Sequence, residues 1–418
     1  MSVPLKHVAR IAFSGVNKIA IPGETVVQLC NYNDVYKRHH ITPDIEFMAG
    51  TATADEVRRF ALREGDVLLT KDSETPDDIG VAAYVAADMP KVICGYHLAL
   101  IRPDMTRIHP RFLYWFMASE TTRQFFAARA QGVTRFGLRL ETVGNLQVHV
   151  PSQSEQHAIA EYLDREAARV SELVSVKRRL QALWSERLDA LVYSATLGLF
   201  QPGGRKSSGL EWVSTIPQEW TIAPVGLRYE VQLGRMLNGE RSFGPHMAPY
   251  LRNVNVQWRR VKIDDLAEMD FPPEVRPRYR LKAGDLLVCE GGEVGRAAIW
   301  RDEVEECYYQ KAVHRLRPRS DDEPRYLMYV LRAMSKLGVF AAEGSQTTIP
   351  HLTAEKLAAH RVPFPPRQVQ VKIADELDAA FARSEELALL IGRQVSALIE
   401  YRQAVITDVV TGKLRVAA

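Results

Sequence analysis

The chain has 418 residues, 46% of them hydrophobic, enough for two or three domains with real cores. No apolar run is long enough to cross a bilayer, and the start MSVPLKHVARIAF lacks the form of a secretory signal, so a cytoplasmic protein with no membrane partner is expected. A net charge of +3 does not mark a nucleic-acid binder by itself, and Cys30, Cys94, Cys289 and Cys307 form no CxxC pair, which argues against a zinc knuckle or a disulfide framework and for buried, reduced thiols.

In chain order, residues 1–150 read as a first globular domain of mixed short strands and helices. VVQLCNY and DVLLT have strand character, and Pro110 to Arg129 reads as one helix with Phe112, Trp115, Phe116, Phe125 and Phe126 as its core face. A glycine-flanked polar loop, QGVTRFGL, follows. Residues 151–200 carry a long helix, Gln153 to Leu199, with apolar positions Ile159, Leu163, Val170, Leu173, Leu180, Trp184, Leu188 and Leu191 on one face, Ser154 as N-cap and Gly198 as exit. QPGGRKSS, residues 201–208, reads as a linker. A second globular domain spans 209–364, and a second long helix, Arg367 to Leu414, fills 365–418 and ends at Gly412.

The two halves are copies. Gln156 meets Gln370, Ile159 meets Ile373, Leu163 meets Leu377, Asp164 meets Asp378, Glu186 meets Glu400 and Gly198 meets Gly412 at one constant offset. LREGDVLL recurs as LKAGDLLV, IRP as LRP, and RFLYWFM as RYLMYVL, so the fold expected is α+β: two mixed α/β domains in tandem pseudo-repeat, separated by two long helices. A rod of roughly 60 Å with one apolar seam cannot stand alone, so the helices are expected to pair antiparallel as a coiled coil. Lys177 interrupts the seam where the second copy has Ile391.

Reaction machinery is missing. There is no GxxxxGK[ST] loop, and EGGEVGR lacks the following Lys-Ser or Lys-Thr and reads as a turn between strands. No glycine fingerprint for a dinucleotide or methyl donor lies between a strand and a helix. Asp66 with Lys71 lacks the second acid of a nuclease centre, and His39 with His40, adjacent on an extended segment, point to opposite faces and read as solvated.

Binding features are present instead. Arg276, Arg278, Arg280 and Lys282 alternate, so a strand there would carry four cations on one face, suited to a phosphate track or to a charged edge. Arg252, Asn253 and Asn255 can pair with guanine or adenine edges. Thr134 and Arg135 in one half, and Gln346, Thr347 and Thr348 in the other, place hydrogen-bonding groups at equivalent points with different chemistry.

With LCNYNDVYK, GDVLLTKDSETPDDIGV, CGYHLALIRP, PYLRNVNV, GDLLVCEGGEVGRAAIW, YQKAVHRLRP and both long helices, the chain resembles the specificity subunits of type I restriction-modification systems over nearly its whole length. The resemblance implies two target recognition domains, each reading half of a split sequence in double-stranded DNA. It also implies helices that set the gap and dock two methyltransferase (modification) subunits and two restriction/translocase subunits. The chain itself would be non-catalytic and bind no cofactor, with S-adenosylmethionine, ATP and Mg in the partners. Loop position and side-chain chemistry then nominate Asn31, Tyr32, Tyr36, Lys37, Lys71, Ser73, His97, Thr134 and Arg135 in the first domain. Arg252, Asn253, Asn255, Gln310, Lys311, Ser345, Gln346 and Thr347 are nominated in the second. A protein-interaction scaffold with two adaptor domains on a coiled coil is the alternative.

Overall fold

In the computed structural model, residues 2–236, 243–342 and 351–416 are described. The chain forms two compact units, one from Met1–Arg178 with Ile391–Ala418, the other from Arg179–Leu390.

The first unit is layered. A five-stranded sheet runs in the order Ala9–Phe13, Leu98–Pro103, Val67–Thr70, Ala82–Val85, His40–Ile41. Its central strand Val67–Thr70 is buried at every residue, as a strand covered on both faces must be. Leu68, Leu100 and Ala12 face a second sheet, Met48–Ala52, Thr25–Cys30, Met89–Cys94, Ala61–Leu62, through a core with Leu29, Cys30, Ile93 and Cys94. Val67, Leu69, Ala99 and Ile101 face Phe112, Trp115 and Phe116. The aromatic segment, expected as one helix, is two: Pro110–Met117 and Glu120–Ala127. Ser119 breaks it, because its hydroxyl donates back to the Phe116 carbonyl (2.7 Å) and accepts from the Thr122 N–H (3.4 Å), capping the next helix.

The second unit repeats this plan. Its main sheet runs Tyr229–Leu233, Val313–Pro318, Leu286–Cys289, Ala297–Ile299, its second sheet Ala267–Asp270, Met247–Leu251, Tyr308–Tyr309, and a longer helix Pro324–Lys336 followed by Val339–Ala342 stands where the broken pair stood. Both main sheets carry the same buried ion pair. Arg102 grips Asp66 with two bonds of 2.7 Å, and Arg317 grips Asp285 at 2.5 and 2.8 Å. EGGEVGR forms the turn between Leu286–Cys289 and Ala297–Ile299, as its composition implied. The arginine run is not a strand: Arg276–Tyr279 is a short helix, with Pro277 in its first turn where a missing N–H costs nothing. Of the expected linker, Arg205–Ser208 belongs to strand Arg205–Leu210, paired with Val213–Pro217. All four cysteines are free and buried.

The long helices are Gln153–Thr196 and Arg367–Val410. The first opens two residues earlier than Ser154 suggested. Ser152 is the cap, its N–H donating to the Glu155 carboxylate (2.9 Å) and its hydroxyl accepting from the Glu155 N–H (3.4 Å). Gly198 and Gly412 leave the helices at φ of +62° and +76°. Within the first unit, Leu163 near the start of one helix shares a core with Val405, Ile406 and Val409 near the end of the other. Within the second, Leu188, Val192 and Ala195 meet Ile373, Leu377 and Phe381. The helices therefore pair antiparallel in each unit. Their seam is incomplete, since Val170 and Ile391 are buried but Leu173 and Leu180 are exposed. Lys177 donates to Gln394 (2.7 Å) rather than entering the seam.

Matched positions lock each domain to its helix. The buried Gln156 accepts from the His109 N–H (2.7 Å) and donates to the carbonyls of Arg107 (3.3 Å) and Pro151 (3.0 Å). Its copy Gln370 accepts from the Glu323 N–H (2.9 Å) and donates to Asp322 (2.8 Å) and the Pro365 carbonyl (2.9 Å). Asp164 holds Arg111 (2.7 Å) and the Trp115 indole (3.0 Å), while Asp378 holds Arg325 (2.9 Å) and the Tyr329 hydroxyl. Four residue pairs that looked like sequence echoes are one device built twice.

Candidate nucleic-acid interface

In the first unit the nominated residues converge. The second-sheet strand Thr25–Cys30 ends at Asn31, which caps a short helix Tyr32–Tyr36 by taking the Asp34 carboxylate on its N–H (2.8 Å). Tyr32 and Tyr36 stack at 5.4 Å, and Tyr36 donates to Asp78 (2.8 Å). That bond raises the Tyr36 phenol above its ordinary range, and burial does the same for Tyr32, so both stand as protonated donors. The main-sheet strand delivers Lys71, whose ammonium pairs with Asp72 (2.7 Å) and lies over the Tyr96 ring at 5.0 Å. His97 joins the same carboxylate through Nδ1 at 2.9 Å.

Backbone pairing stitches these pieces together. The Lys71 N–H bonds the His97 carbonyl, the Leu138 N–H bonds the Lys71 carbonyl, and Ser73 pairs with Phe136. This last pairing carries the loop with Thr134 and Arg135 to the patch, both exposed. Arg135 is near enough to act on the Tyr32 phenol. The loop closes tightly, since a Cβ on Gly132 would sit 1.9 Å from the Arg135 carbonyl oxygen. Ser73 itself is buried, whereas Lys37 is exposed at the end of the short helix. The patch thus offers a cation, two phenols, an imidazole and a guanidinium around carboxylates that fix their directions. Asp72, Tyr96 and Asp78 were not nominated. Asp72 could have been found as the carboxylate beside a candidate lysine.

The second unit differs. Arg252, Asn253 and Asn255, read from chemistry alone as base-edge partners, each bond side-chain groups to their own fold. Arg252 pairs with Asp265 (2.7 Å), and Asn253 donates to the Gly291 carbonyl (2.7 Å) and accepts from Arg296 (2.7 Å). Asn255 is buried, donating to the carbonyls of Lys262 (3.0 Å) and Asp265 (3.1 Å). They build the turn that faces the glycine-rich hairpin. Gln310 joins this region through its N–H to the Leu251 carbonyl (3.1 Å), and Lys311 beside it is exposed. The Leu352 N–H bonds the Glu290 carbonyl (2.8 Å), and the buried His314 bonds the Leu352 carbonyl (2.6 Å). Ser345, Gln346, Thr347 and Thr348 lie outside the described residues.

Residues weighed as reaction centres have other places in the fold. Asp66 is taken by Arg102 and lies at the other end of its strand from Lys71. Among the described residues, no group of three or more His, Cys, Asp or Glu could hold a metal, and no helix is long and apolar enough to cross a membrane. His39 and His40 are exposed to a cavity of about 360 Å³ in the first unit, shared with Arg111, Trp115, Asp164 and Arg402. Withdrawal from bulk water, and then the Arg402 charge, hold the His39 imidazole down to about 4.

A family model for the type I restriction modification DNA specificity domain matches residues 31–177 and 273–389. A Methanocaldococcus jannaschii protein named as the MjaX type I restriction enzyme specificity subunit is 20% identical over 384 residues, covering 87% of this chain and 81% of that one. A chain solved in work on complex assembly and conformational transition of the type I R-M system superposes with a TM-score of 0.71 at 18% identity, covering 99% and 98% of the two chains. The HsdS subunit from Thermoanaerobacter tengcongensis gives a TM-score of 0.56 at 17% identity over 99% and 97%. These two structures share the fold.

Proposed function

Since the chain belongs to the type I restriction-modification DNA specificity family, whose subunits are non-catalytic within their complex, we propose that it reads a split, asymmetric DNA sequence. Residues 1–150 and 209–364 are the two target recognition domains, each reading one half-site; residues 151–200 and 365–418 supply the helices that fix the gap, and 201–208 the connection. One observation carries this reading: a matched buried frame, Asp66–Arg102 and Asp285–Arg317 with the Gln and Asp locks, bears surfaces whose described polar side chains differ, Lys71 and His97 on one and Gln310 and Lys311 on the other. Framework held constant under divergent polar groups is what two readers of different sequences require. In the first domain Lys71, His97, Arg135 and the Tyr32–Tyr36 pair supply donors for base edges and phosphates. In the second, Lys311 and Gln310 supply them, and Ser345, Gln346 and Thr347 belong to the same assignment by position.

The helices dock two modification and two restriction/translocase subunits, which bring S-adenosylmethionine, ATP and Mg. In support, the first long helix leaves Leu173, Val176, Leu180 and Leu183 exposed at helical spacing, a stripe that water disfavours. Selection of bound duplexes from a randomised DNA pool, using the chain with the proteins that co-purify with it, tests the reading. Two short defined blocks around a fixed undefined gap are expected. Recovery of no motif would leave the interaction scaffold.

A further inference from the structure

The two repeats differ at one core position in a way that packing does not ask for. In the first main sheet, Ala12, Leu100 and Leu68 sit side by side across three strands, all buried in apolar surroundings. At the matched row of the second sheet stand Gln232, Arg315 and Leu287. A leucine has become an arginine that is only 2% exposed. Withdrawing a guanidinium from water is costly, and a buried ion pair seldom stabilises more than apolar residues of like volume. The exchange therefore calls for a use beyond folding.

What surrounds Arg315 suggests the use. Its guanidinium donates to the Gln232 side chain (2.6 Å), Glu230 (3.2 Å) and the Arg278 carbonyl (3.0 Å), while Nε, also buried, has no partner among the described residues. It lines a polar pocket of about 410 Å³ in the second unit with Glu230, Gln232, Arg278 and Arg317. Arg317 is taken by Asp285, but Arg278 is exposed and makes no ion pair among the described residues. With Arg317 offset by Asp285 and Arg315 by Glu230, the Arg278 guanidinium is left as one excess positive charge. Arginine forks suit the oxygens of a phosphate. The short helix Arg276–Tyr279 is what brings Arg278 to this pocket; on the strand expected from the sequence it would have stood in a row with Arg280 instead.

We propose that this pocket binds a phosphate group, supplied by the DNA backbone flanking the second half-site or by a free phosphorylated small molecule. The first source rests on the DNA reading above; the second does not.

The test uses the chain with its co-purified partners, as wild type, as Arg278→Gln, and as the pair Gln232→Ala with Arg315→Leu, which installs the first repeat's own residues. Pyrophosphate titration by calorimetry is one arm. The slope of log affinity against log salt for the selected duplex is the other, since each lost phosphate contact lowers its magnitude by about 0.9. A slope reduced by roughly one in both variants assigns the pocket to DNA. Pyrophosphate binding weakened at least about tenfold (1.4 kcal/mol) in both, with the slope unchanged, assigns it to a free ligand. If neither arm moves while the variants melt like wild type, the proposal is overturned. Should the paired variant not fold, the exposed Arg278→Gln decides alone. If the wild type binds no DNA, the DNA reading falls and pyrophosphate still judges the pocket.

Discussion

Replacing Gln156 by Ala removes the device that ties the first domain to its helix, and its cost follows from the atoms left behind. The His109 N–H loses its acceptor where water does not reach, and two carbonyls lose a donor. A buried orphan costs about 1–3 kcal/mol, and the one buried methylene lost with the carboxamide adds about 0.8 kcal/mol, before any relaxation. A loss of about 3 kcal/mol results, equivalent to exchange of core amides roughly a hundredfold faster. Gln370→Ala falls somewhat short of this, because Asp322 keeps its two bonds to Arg228 at 2.6 and 2.8 Å. Hydrogen exchange read by mass spectrometry is the assay. Gln156→Ala is expected to accelerate Pro110–Met117 and leave Pro324–Lys336 unchanged, and Gln370→Ala to do the reverse. Equal acceleration in both segments, or less than about 1 kcal/mol in either, would refute the idea that one buried glutamine organises each domain.

Arg102→Leu leaves Asp66 buried and unpaired, which is expected to cost about 3–5 kcal/mol in denaturant unfolding, and Arg317→Leu should do the same through Asp285; a loss below about 1 kcal/mol would contradict the pairing. His39 titrates in the fold at about 4, below its ordinary 6.5. Its neutral form is thus favoured by folding, so stability is complete above pH 6.5 and declines as pH falls toward 4; in His39→Gln the melting temperature should fall less over that window, and an unchanged fall would exclude His39 as a source. Arg135→Ala should relax or weaken recognition of one half-site only, as read by binding to duplexes mutated in each block; equal loss at both would count against it. Removing a heptad-scale block between Val170 and Leu183 should change the selected gap or abolish binding with both half-sites intact. Altered half-sites at the old gap would sink the ruler.

The two long helices, the repeat and the central strand Val67–Thr70 could be read before any coordinates, because each rests on periodicity or on runs of like residues. Val67–Leu69 is an apolar run because the strand is covered on both faces, and a run is hard to mistake. Local competition was less visible. Ser119 could as well have sat within a helix as cut it, and only its bonds to Phe116 and Thr122 decide. Alternation of Arg276, Arg278 and Arg280 fits a strand, yet Pro277 fits the first turn of a helix equally well, and the chain took the helix. For the candidate site, side-chain chemistry named residues but gave no direction. Asn255 and Lys71 looked alike as DNA contacts; one turned inward to satisfy three backbone groups, the other gathered with His97 on Asp72. What a polar side chain faces depends on strand register and turn geometry, and those are settled by the whole sheet.

The division of the chain has a consequence for how it is made. The second unit is one uninterrupted stretch, Arg179–Leu390, whereas the first needs Ile391–Ala418 as well. Val405, Ile406 and Val409 complete its core, Thr407 accepts from the Glu120 N–H (3.0 Å), and Gln403 donates to the Ala118 carbonyl (2.9 Å). The domain that leaves the ribosome first is therefore the last to close. At about 5–20 residues per second it waits roughly ten to forty seconds with an apolar flank open while the other unit is synthesised. A chain cut short in the second long helix beyond Leu390 would carry a finished second unit and an unsealed first one, and it is the first that a protease or a chaperone would find.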